Sequence, residues 1–461
     1  MALPACHHAA PVGALDPRPA PAGREEGGAR DPGVDGPRRR PRRRSLAIGL
    51  AIGLAIAAAG SLAPLAGCFL GRTNDAAYGG HAAAESFVVE VPVTQDALVV
   101  ADVELGGATR PFVVDTGAVT SLVDLRVAAE LGLEARGTTP LADFEGKVRD
   151  HPVYVVPSLS IGGLELVDVG VVGVDLAWIE DFECKPVAGL LGNNALRHGA
   201  LELDLGRGVV RLASGVEALP PRAGGVVSPL YPPSAIVQVA PPIAAGLIPR
   251  PFLIDTGASA TIIVDRKVSR RLPVGRRIPA RSFKGGYHGA DRPATLELFT
   301  WPEVQVGGLD LEGVATTAGL GSNVLGHRLL RHFVVRVDDV ARTITFWPGE
   351  RPPSRGLRSL GLGVELHGDE LLVRTLVEGS PASAAGIRWG DRILTVEGAP
   401  VAAMSRHERC LIARDLERRD AVRLRVDRDG APREVALTRA ELFPEVGARA
   451  RAGDGPAADR L

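Results

Sequence analysis

The chain has 461 residues, 45% of them apolar, and a formal net charge of −1. That length leaves room for roughly three domains, and the apolar share lies well above the disordered range. The lack of a basic excess argues against a nucleic-acid binder, because neutralising phosphates requires one.

Residues 1–45 are rich in Pro, Gly and Arg without an apolar period and read as a disordered basic N-terminal region. Their closing run, Arg38 to Arg44, leads directly into the apolar stretch "SLAIGLAIGLAIAAAGSLAPLAGC". A positive segment, an apolar segment and a small-residue end, in that order, form an export signal. Leu65-Ala66-Gly67-Cys68 is similar to a bacterial lipobox. By that resemblance, residues 46–68 are the signal core and lipobox, and Cys68 is the lipidation site. A plain membrane anchor is the alternative, since Ser45 to Gly71 carries no charge and is long enough to span a bilayer. Either way the remainder is expected outside the cytoplasm, on the periplasmic side of the cell envelope and held to a membrane.

Residues 69–85 read as a linker. From Ser86 onward, short Val-, Ile- and Leu-rich runs alternate with Gly, Pro and Asp, the pattern of an all-β region. One stretch, "DLRVAAELGL", has helical spacing after "PFVVDTGAVTSLVD". The same order returns in "PFLIDTGASATIIVD" followed by "DRKVSRRLPV". The two Asp-Thr-Gly turns lie 255 − 115 = 140 residues apart. "GLLGNNALRHGALELD" (Gly189 to Asp204) is answered by "NVLGHRLLRHFVVRVD" (Asn323 to Asp338) at an offset of 326 − 192 = 134. Matching order and nearly constant spacing predict a duplicated lobe, residues 86–216 and 217–350.

A third unit is predicted at 356–440, with a disordered tail at 441–461. Cys6 precedes the export signal and Cys68 fits the lipobox. Cys184 and Cys410 fall in different predicted domains and are expected to be unpaired. His198 and His332 recur in packed Leu-Arg-His segments and read as structural. No group has metal-ligand spacing.

An apolar strand that ends in Asp-Thr-Gly delivers a carboxylate to the edge of a core, and the glycine permits close backbone approach. Two such turns from two lobes can set two carboxylates side by side. At about 4 Å and an effective dielectric near 20, their repulsion of about 4 kcal/mol separates the two ionisations by roughly 3 pKa units. The pair then shares one proton, so one carboxylate can be base to a water while its partner donates to a carbonyl oxygen.

Residues 86–350 resemble the aspartic peptidases of the bacterial retropepsin-like branch. The resemblance rests on Asp115-Thr116-Gly117-Ala118, Asp255-Thr256-Gly257-Ala258-Ser259 and the elements Leu190-Leu191-Gly192 and Val324-Leu325-Gly326. It implies a mainly β, bilobal pepsin/retropepsin-like β-barrel pseudo-dimer. Asp115 and Asp255 would be the catalytic dyad. Thr116, Gly117, Thr256, Gly257 and Ser259 would support the catalytic loops, the threonines through crossed hydrogen bonds. Gly286 and Tyr287 in "SFKGGYHGADRP" would form a flap, with Phe144 and Gly146 as the first lobe's weaker counterpart. Val119 stands where the second turn has Ser259, which makes the lobes unequal.

"LGLGVEL" and "GSPASAAGIRWGDRILTVEGAPV" resemble a PDZ domain of the bacterial protease type. In that family the loop Leu360-Gly361-Leu362-Gly363 would present N–H groups to a chain-terminal carboxylate, and the next strand would pair with the peptide. Together these resemblances imply an exported aspartic endopeptidase without metal or organic cofactor. Its expected partners are polypeptide substrates, protein C-termini and a membrane. A non-catalytic envelope peptide binder on the same lobes and PDZ domain is the alternative.

Overall fold

The computed structural model describes residues 79–142, 148–230, 238–239, 251–284, 292–306, 309–320 and 323–443. The export segment with Cys68, the flap candidates Phe144, Gly146, Gly286 and Tyr287, and the tail beyond residue 443 lie outside the described residues. Among the described residues no helix is long and apolar enough to cross a membrane.

In the first lobe, β1 (Ala108–Val114) ends in three buried apolar residues and hands the chain to Asp115. The chain returns as β2 (Ser121–Asp124), all four residues buried. Asp124 then caps a helix at Leu125–Glu130, its side chain accepting from the Arg126 amide. After α1 (Ala177–Glu183), β3 (Gly189–Leu191) threads between the first two strands. It is parallel to β1 and antiparallel to β2, so Leu190 lies opposite both Val113 and Leu122. The lobe closes with β4 (Ala200–Asp204).

The second lobe repeats this order. β5 (Phe252–Asp255) leads into the second turn, and β6 (Ile262–Asp265) returns from it. Asp265 caps the next helix by accepting from the Lys267 and Val268 amides. β7 (Ile278–Lys284) pairs with the long strand Arg292–Val306. β8 (Val324–Gly326) runs between β5 and β6, again parallel to one and antiparallel to the other. β9 (Phe333–Asp338) ends the lobe.

The lobes are joined by one sheet. β9 pairs antiparallel with β4, setting Leu201 opposite Val337 and Glu202 opposite Arg336. Strands Thr343–Pro348 and Val226–Pro229 extend it on one side, and Val209–Ala213 and Val88–Thr94 on the other. Glu202 is fully buried at this junction and accepts from Arg211 Nη1 at 2.8 Å and Arg336 Nε at 2.9 Å. Burial alone would raise its pKa, but the arginines, Arg336 foremost, outweigh it and hold the carboxyl below its ordinary value.

The C-terminal unit has its own core, built around Leu360, Val373, Ile393, Leu416 and Leu424. Strands β10 (Leu362–His367) and β11 (Glu370–Val377) form a hairpin. Helix α2 (Arg406–Leu416) opens with a capping box. Ser405 Oγ accepts from the Glu408 amide at 3.2 Å, and the Glu408 carboxylate accepts from the Ser405 amide at 2.7 Å. The architecture is thus mainly β, a β-barrel-rich body followed by a smaller C-terminal unit.

This unit is fastened to both lobes. β11 pairs antiparallel with β7, matching Ala280 to Val377, and Ser282 Oγ lies 3.0 Å from Thr375 Oγ1. On the other side α2 lies against the end of α1. Arg414 Nη1 donates to the Glu183 carbonyl at 3.3 Å, and Arg418 Nη2 to the Asp96 carbonyl at 2.9 Å. Here the expectation of two unpaired cysteines is overturned. Cys184 and Cys410 form a disulfide with a Cα separation of 5.4 Å. They lie 226 residues apart in sequence, and only the docking of α2 on α1 brings them together.

A bond that closes so long a loop restricts the unfolded chain strongly, and losing a native disulfide costs about 2–5 kcal/mol. Replacing both cysteines by serine is therefore expected to lower the urea midpoint by an amount corresponding to about that loss. Reductant should lower the midpoint of the wild type and leave the double variant unchanged.

Candidate active site

The strand ends described above bring the two Asp-Thr-Gly turns face to face. Asp115 and Asp255 are both fully buried and lie close enough for each carboxyl to act on the ionisation of the other. Each glycine of the motif abuts the other lobe's aspartate. A Cβ placed on Gly117 would stand 2.6 Å from Asp255 Cγ, and one on Gly257 would stand 2.6 Å from Asp115 Cγ. No side chain fits there, which is the physical reason for glycine at both positions.

The threonines tie the loops together. The Thr116 amide donates to Thr256 Oγ1 at 3.0 Å, and the Thr256 amide to Thr116 Oγ1 at 3.2 Å. Each hydroxyl then donates across to the other lobe's strand: Thr116 Oγ1 to the Ile254 carbonyl and Thr256 Oγ1 to the Val114 carbonyl, both at 2.6 Å. All four bonds are buried.

Burial pushes the Asp115 carboxyl well above its ordinary value, the neighbouring Asp255 charge adds to this, and the Gly117 amide, donating at 2.8 Å, opposes it. Asp255 is raised as well, again chiefly by burial, with the neighbouring Asp115 working against the rise. The amides of Ala258 and Gly257 also lower it, from positions short of full hydrogen-bond geometry. Asp115 Oδ2 and both Asp255 oxygens accept no hydrogen bond from the described residues. Buried oxygens without partners are costly in a purely structural element, and they mark this pair as chemically available. Two raised, adjacent carboxyls share a proton.

Ser259 lies beside this pair but does not do what its sequence position suggested. Its hydroxyl is buried and bonds to nothing among the described residues, so it lends no hydrogen bond to Asp255. Val119, its first-lobe counterpart, packs instead against the second lobe's apolar cluster around Leu253, Ala258 and Val324.

Sequence reasoning missed two further supports. Asn193 Nδ2 donates to the Thr116 and Ala118 carbonyls at 2.9 and 2.8 Å, staking down the first Asp-Thr-Gly loop. At the matching position, 327 − 193 = 134 residues on, the buried His327 ring lies where the Thr256 and Ala258 carbonyls act on it. Burial, and then Arg328 and Arg331, lower the His327 pKa to about 3, so the ring is neutral. The signal was present in the aligned repeat, where both residues directly follow the Leu-Gly pair.

In the C-terminal unit Leu360 is buried, and the Gly361 amide donates to Ser359 Oγ at 3.0 Å. Gly361 has φ +81°, and a Cβ there would meet Ser380 Cβ at 2.0 Å. Leu362 and Gly363 pair with Leu376 and Thr375. The Gly361 N–H is therefore already engaged within its own loop. Among the described residues no group of His, Cys, Asp and Glu could hold a metal ion.

Residues 101–195 match the family model of the aspartyl proteases, and residues 359–438 match that of the PDZ domain. The first match contains Asp115, Asn193 and the Leu190-Leu191-Gly192 element. No curated protein matches the chain.

Two outcomes follow from this geometry. Thr256→Val strands the Thr116 amide and the Val114 carbonyl in the interior. It should cost about 2–4 kcal/mol of stability by denaturant titration, and Thr256→Ser should restore most of it. The second concerns pH. A buried carboxyl whose folded pKa is raised binds its proton more tightly in the native state, so stability falls as pH climbs from the ordinary 3.8 toward the folded value. The melting temperature of Asp115→Asn minus that of the wild type should therefore grow from pH 4 to pH 8. A flat difference would show that Asp115 carries no such strain.

Proposed function

We propose that the chain is an exported, lipid-anchored aspartic endopeptidase in which Asp115 and Asp255 activate water against a peptide bond. The observation that carries this reading is the pair of fully buried aspartates side by side between two lobes, braced by four crossed threonine bonds. The lobes' common strand order, their shared sheet and the spacing of their motifs support an origin by duplication. The match to the aspartyl protease family supports the reaction class. Export and anchoring through Cys68 rest on the sequence of residues 38–68.

In this mechanism the dyad enters the cycle with one proton. The ionised carboxylate takes a proton from water as the oxygen attacks the carbonyl carbon. The protonated carboxyl gives its proton to the carbonyl oxygen, leaving a neutral tetrahedral diol. The carboxyl that has just gained a proton passes it to the amide nitrogen as the C–N bond breaks. The other carboxylate takes a hydroxyl proton back from the diol as the product acid forms, which restores the singly protonated pair. Thr116, Thr256, Asn193 and His327 contribute by fixing the loops, so the carboxylates need little rearrangement on the way to the transition state. The PDZ domain captures or regulates peptides beside this machinery.

The test is cleavage of an unfolded protein by the purified mature chain between pH 3 and pH 8. Asp115→Asn and Asp255→Asn should each lower the rate by about 100- to 10,000-fold, and a statine-type transition-state mimic should inhibit. Full activity in either Asn variant would remove the paired mechanism. Peptide binding without any cleavage would leave a non-catalytic envelope binder.

A further inference from the structure

The two lobes follow one plan, and they part company in the charge of one matched helix. In the first lobe the helix Leu125–Glu130 follows its capping Asp124, and in the second the helix Arg266–Ser269 follows Asp265. The two caps are 265 − 124 = 141 residues apart. The first helix has a neutral outer face. Arg126 is paired with Asp124 at 2.8 Å and with Glu180 at 2.5 Å, and Glu130 with Arg110 at 2.7 Å. Its counterpart and the turn that continues it carry Arg266, Lys267, Arg270 and Arg271, and no acid.

These four cations share one face. The helical path runs on past Ser269, with the Arg270 amide donating to the Arg266 carbonyl at 3.3 Å and the Leu272 amide to the Ser269 carbonyl at 3.0 Å. Val268, Ser269 and Leu272 are buried, while Arg266, Lys267, Arg270 and Arg271 are exposed. Spacings of three and four residues set those charges beside one another. None of the four is in an ion pair among the described residues, and Arg266 Nη2 donates to a backbone carbonyl, that of Thr295, at 2.6 Å. Glu297, on the same neighbouring strand, is taken by Arg277 at 3.3 Å. From residue 251 to residue 284 the sequence has two acids, Asp255 and Asp265, and both are buried. Like charges at this spacing repel, and the first lobe builds the same helix without them. A face that holds four unpaired cations at a cost suits an anionic partner.

The covalent chain says which partner. Under the proposed export and anchoring, on which this inference rests, the membrane attachment lies at or before Cys68, and the described body begins at residue 79. Those 79 − 68 = 11 residues can span about 40 Å at most, at about 3.5 Å each. A body the length of residues 79–443 packs to roughly 50 Å across. The tether is thus shorter than the body, which keeps a bilayer within reach and leaves charge to choose the face that meets it. We propose that Arg266, Lys267, Arg270 and Arg271 form a docking face for an anionic phospholipid surface, a second membrane contact besides the anchor. The attraction acts only within a Debye length of the lipid headgroups, a distance the tether enforces. Each cation at such a surface strengthens attachment about fivefold, so four of them can fix the orientation of a body that is already held close.

The test uses the full mature chain with Cys68→Ser, so that no lipid is attached, in co-sedimentation with vesicles. Vesicles of phosphatidylcholine alone are compared with vesicles in which a third of the lipid is phosphatidylglycerol. The chain should partition onto the anionic vesicles about 100-fold more strongly than onto the neutral ones, and high salt should abolish the difference. Arg266→Gln, Lys267→Gln, Arg270→Gln and Arg271→Gln together should lower partition onto the anionic vesicles about 100-fold. Arg136→Gln, Arg149→Gln, Arg342→Gln and Arg388→Gln together remove the same net charge from exposed positions elsewhere and should change it by less than about fivefold. Arg266→Lys, Arg270→Lys and Arg271→Lys together keep the charge and should bind as the parent does. Circular dichroism melts would establish that each variant folds. The proposal is overturned if neutral and anionic vesicles bind the parent alike, if the first Gln set binds as the parent does, or if the second set loses as much. It is also overturned if the chain ignores anionic vesicles and binds poly-glutamate, which would make this a face for acidic polypeptides. Because the probe chain carries no lipid, failure here leaves anchoring through Cys68 standing. An exported chain found without an acyl group would likewise leave the vesicle result standing.

Discussion

Two buried carboxyl groups pressed together between lobes are the constraint around which this molecule is organised. They repel whenever both are ionised, and burial disfavours the charge on either. Left alone, such a pair would force the loops apart. Four threonine bonds hold the loops closed, and glycines at both contact points let the backbones approach. The strands behind them are pinned in turn, because β3 and β8 thread between the strands that enter and leave each turn. Proximity is thus imposed by the fold, and the proton shared by the pair is its chemical consequence.

The remaining connections resist separation on a larger scale. The sheet through β4 and β9 makes the lobes one body, with Glu202 neutralised by arginines from both halves. A buried charge so well paired costs several kcal/mol to unpair, which favours one registration of the lobes over any slipped alternative. The C-terminal unit adds a third tie. It is bonded by backbone to β7 in the second lobe and by disulfide to the end of α1 in the first. A domain attached at both lobes bridges the body that carries the dyad.

Local patterns in the sequence announced local structure. The alternating Val and Ile runs, the Asp residues that cap Leu125–Glu130 and Arg266–Ser269, and Ser405 before α2 all sit where their chemistry predicts. The doubled Asp-Thr-Gly and the nearly constant offset between repeats pointed to the facing turns, since each copy is a short segment with its own signature. The Cys184–Cys410 bond was not legible. Nothing near either cysteine encodes a partner 226 residues away, and the predicted domain border between them argued the wrong way. The pairing of β7 with β11 was hidden for the same reason, because strand edges carry no mark of which neighbour will claim them. Asn193 and His327 lay between these extremes. The aligned repeat placed them together, but only the structure showed Asn193 bonded to the carbonyls of the first Asp-Thr-Gly loop and His327 buried beside those of the second.

The departures from symmetry now bear on a different question from the one the sequence raised. In the sequence, Val119 against Ser259 marked the two lobes as unequal. In the structure both aspartates are equally buried, and the Ser259 hydroxyl is not spent on Asp255 at all. Val119 takes its place in an apolar cluster of the second lobe, which is sufficient reason for a valine. Ser259 faces a cavity that Arg328 also lines, whereas Asn194, at the first lobe's matching position, is bonded within its own lobe. Both second-lobe departures, Ser259 and Arg328, thus line the wall shared with the C-terminal unit. A lobe that had only to complete a dyad would gain nothing by opening its interior there. A lobe that must also meet the C-terminal unit has a physical reason to do so, and the asymmetry of the pair follows from that second neighbour.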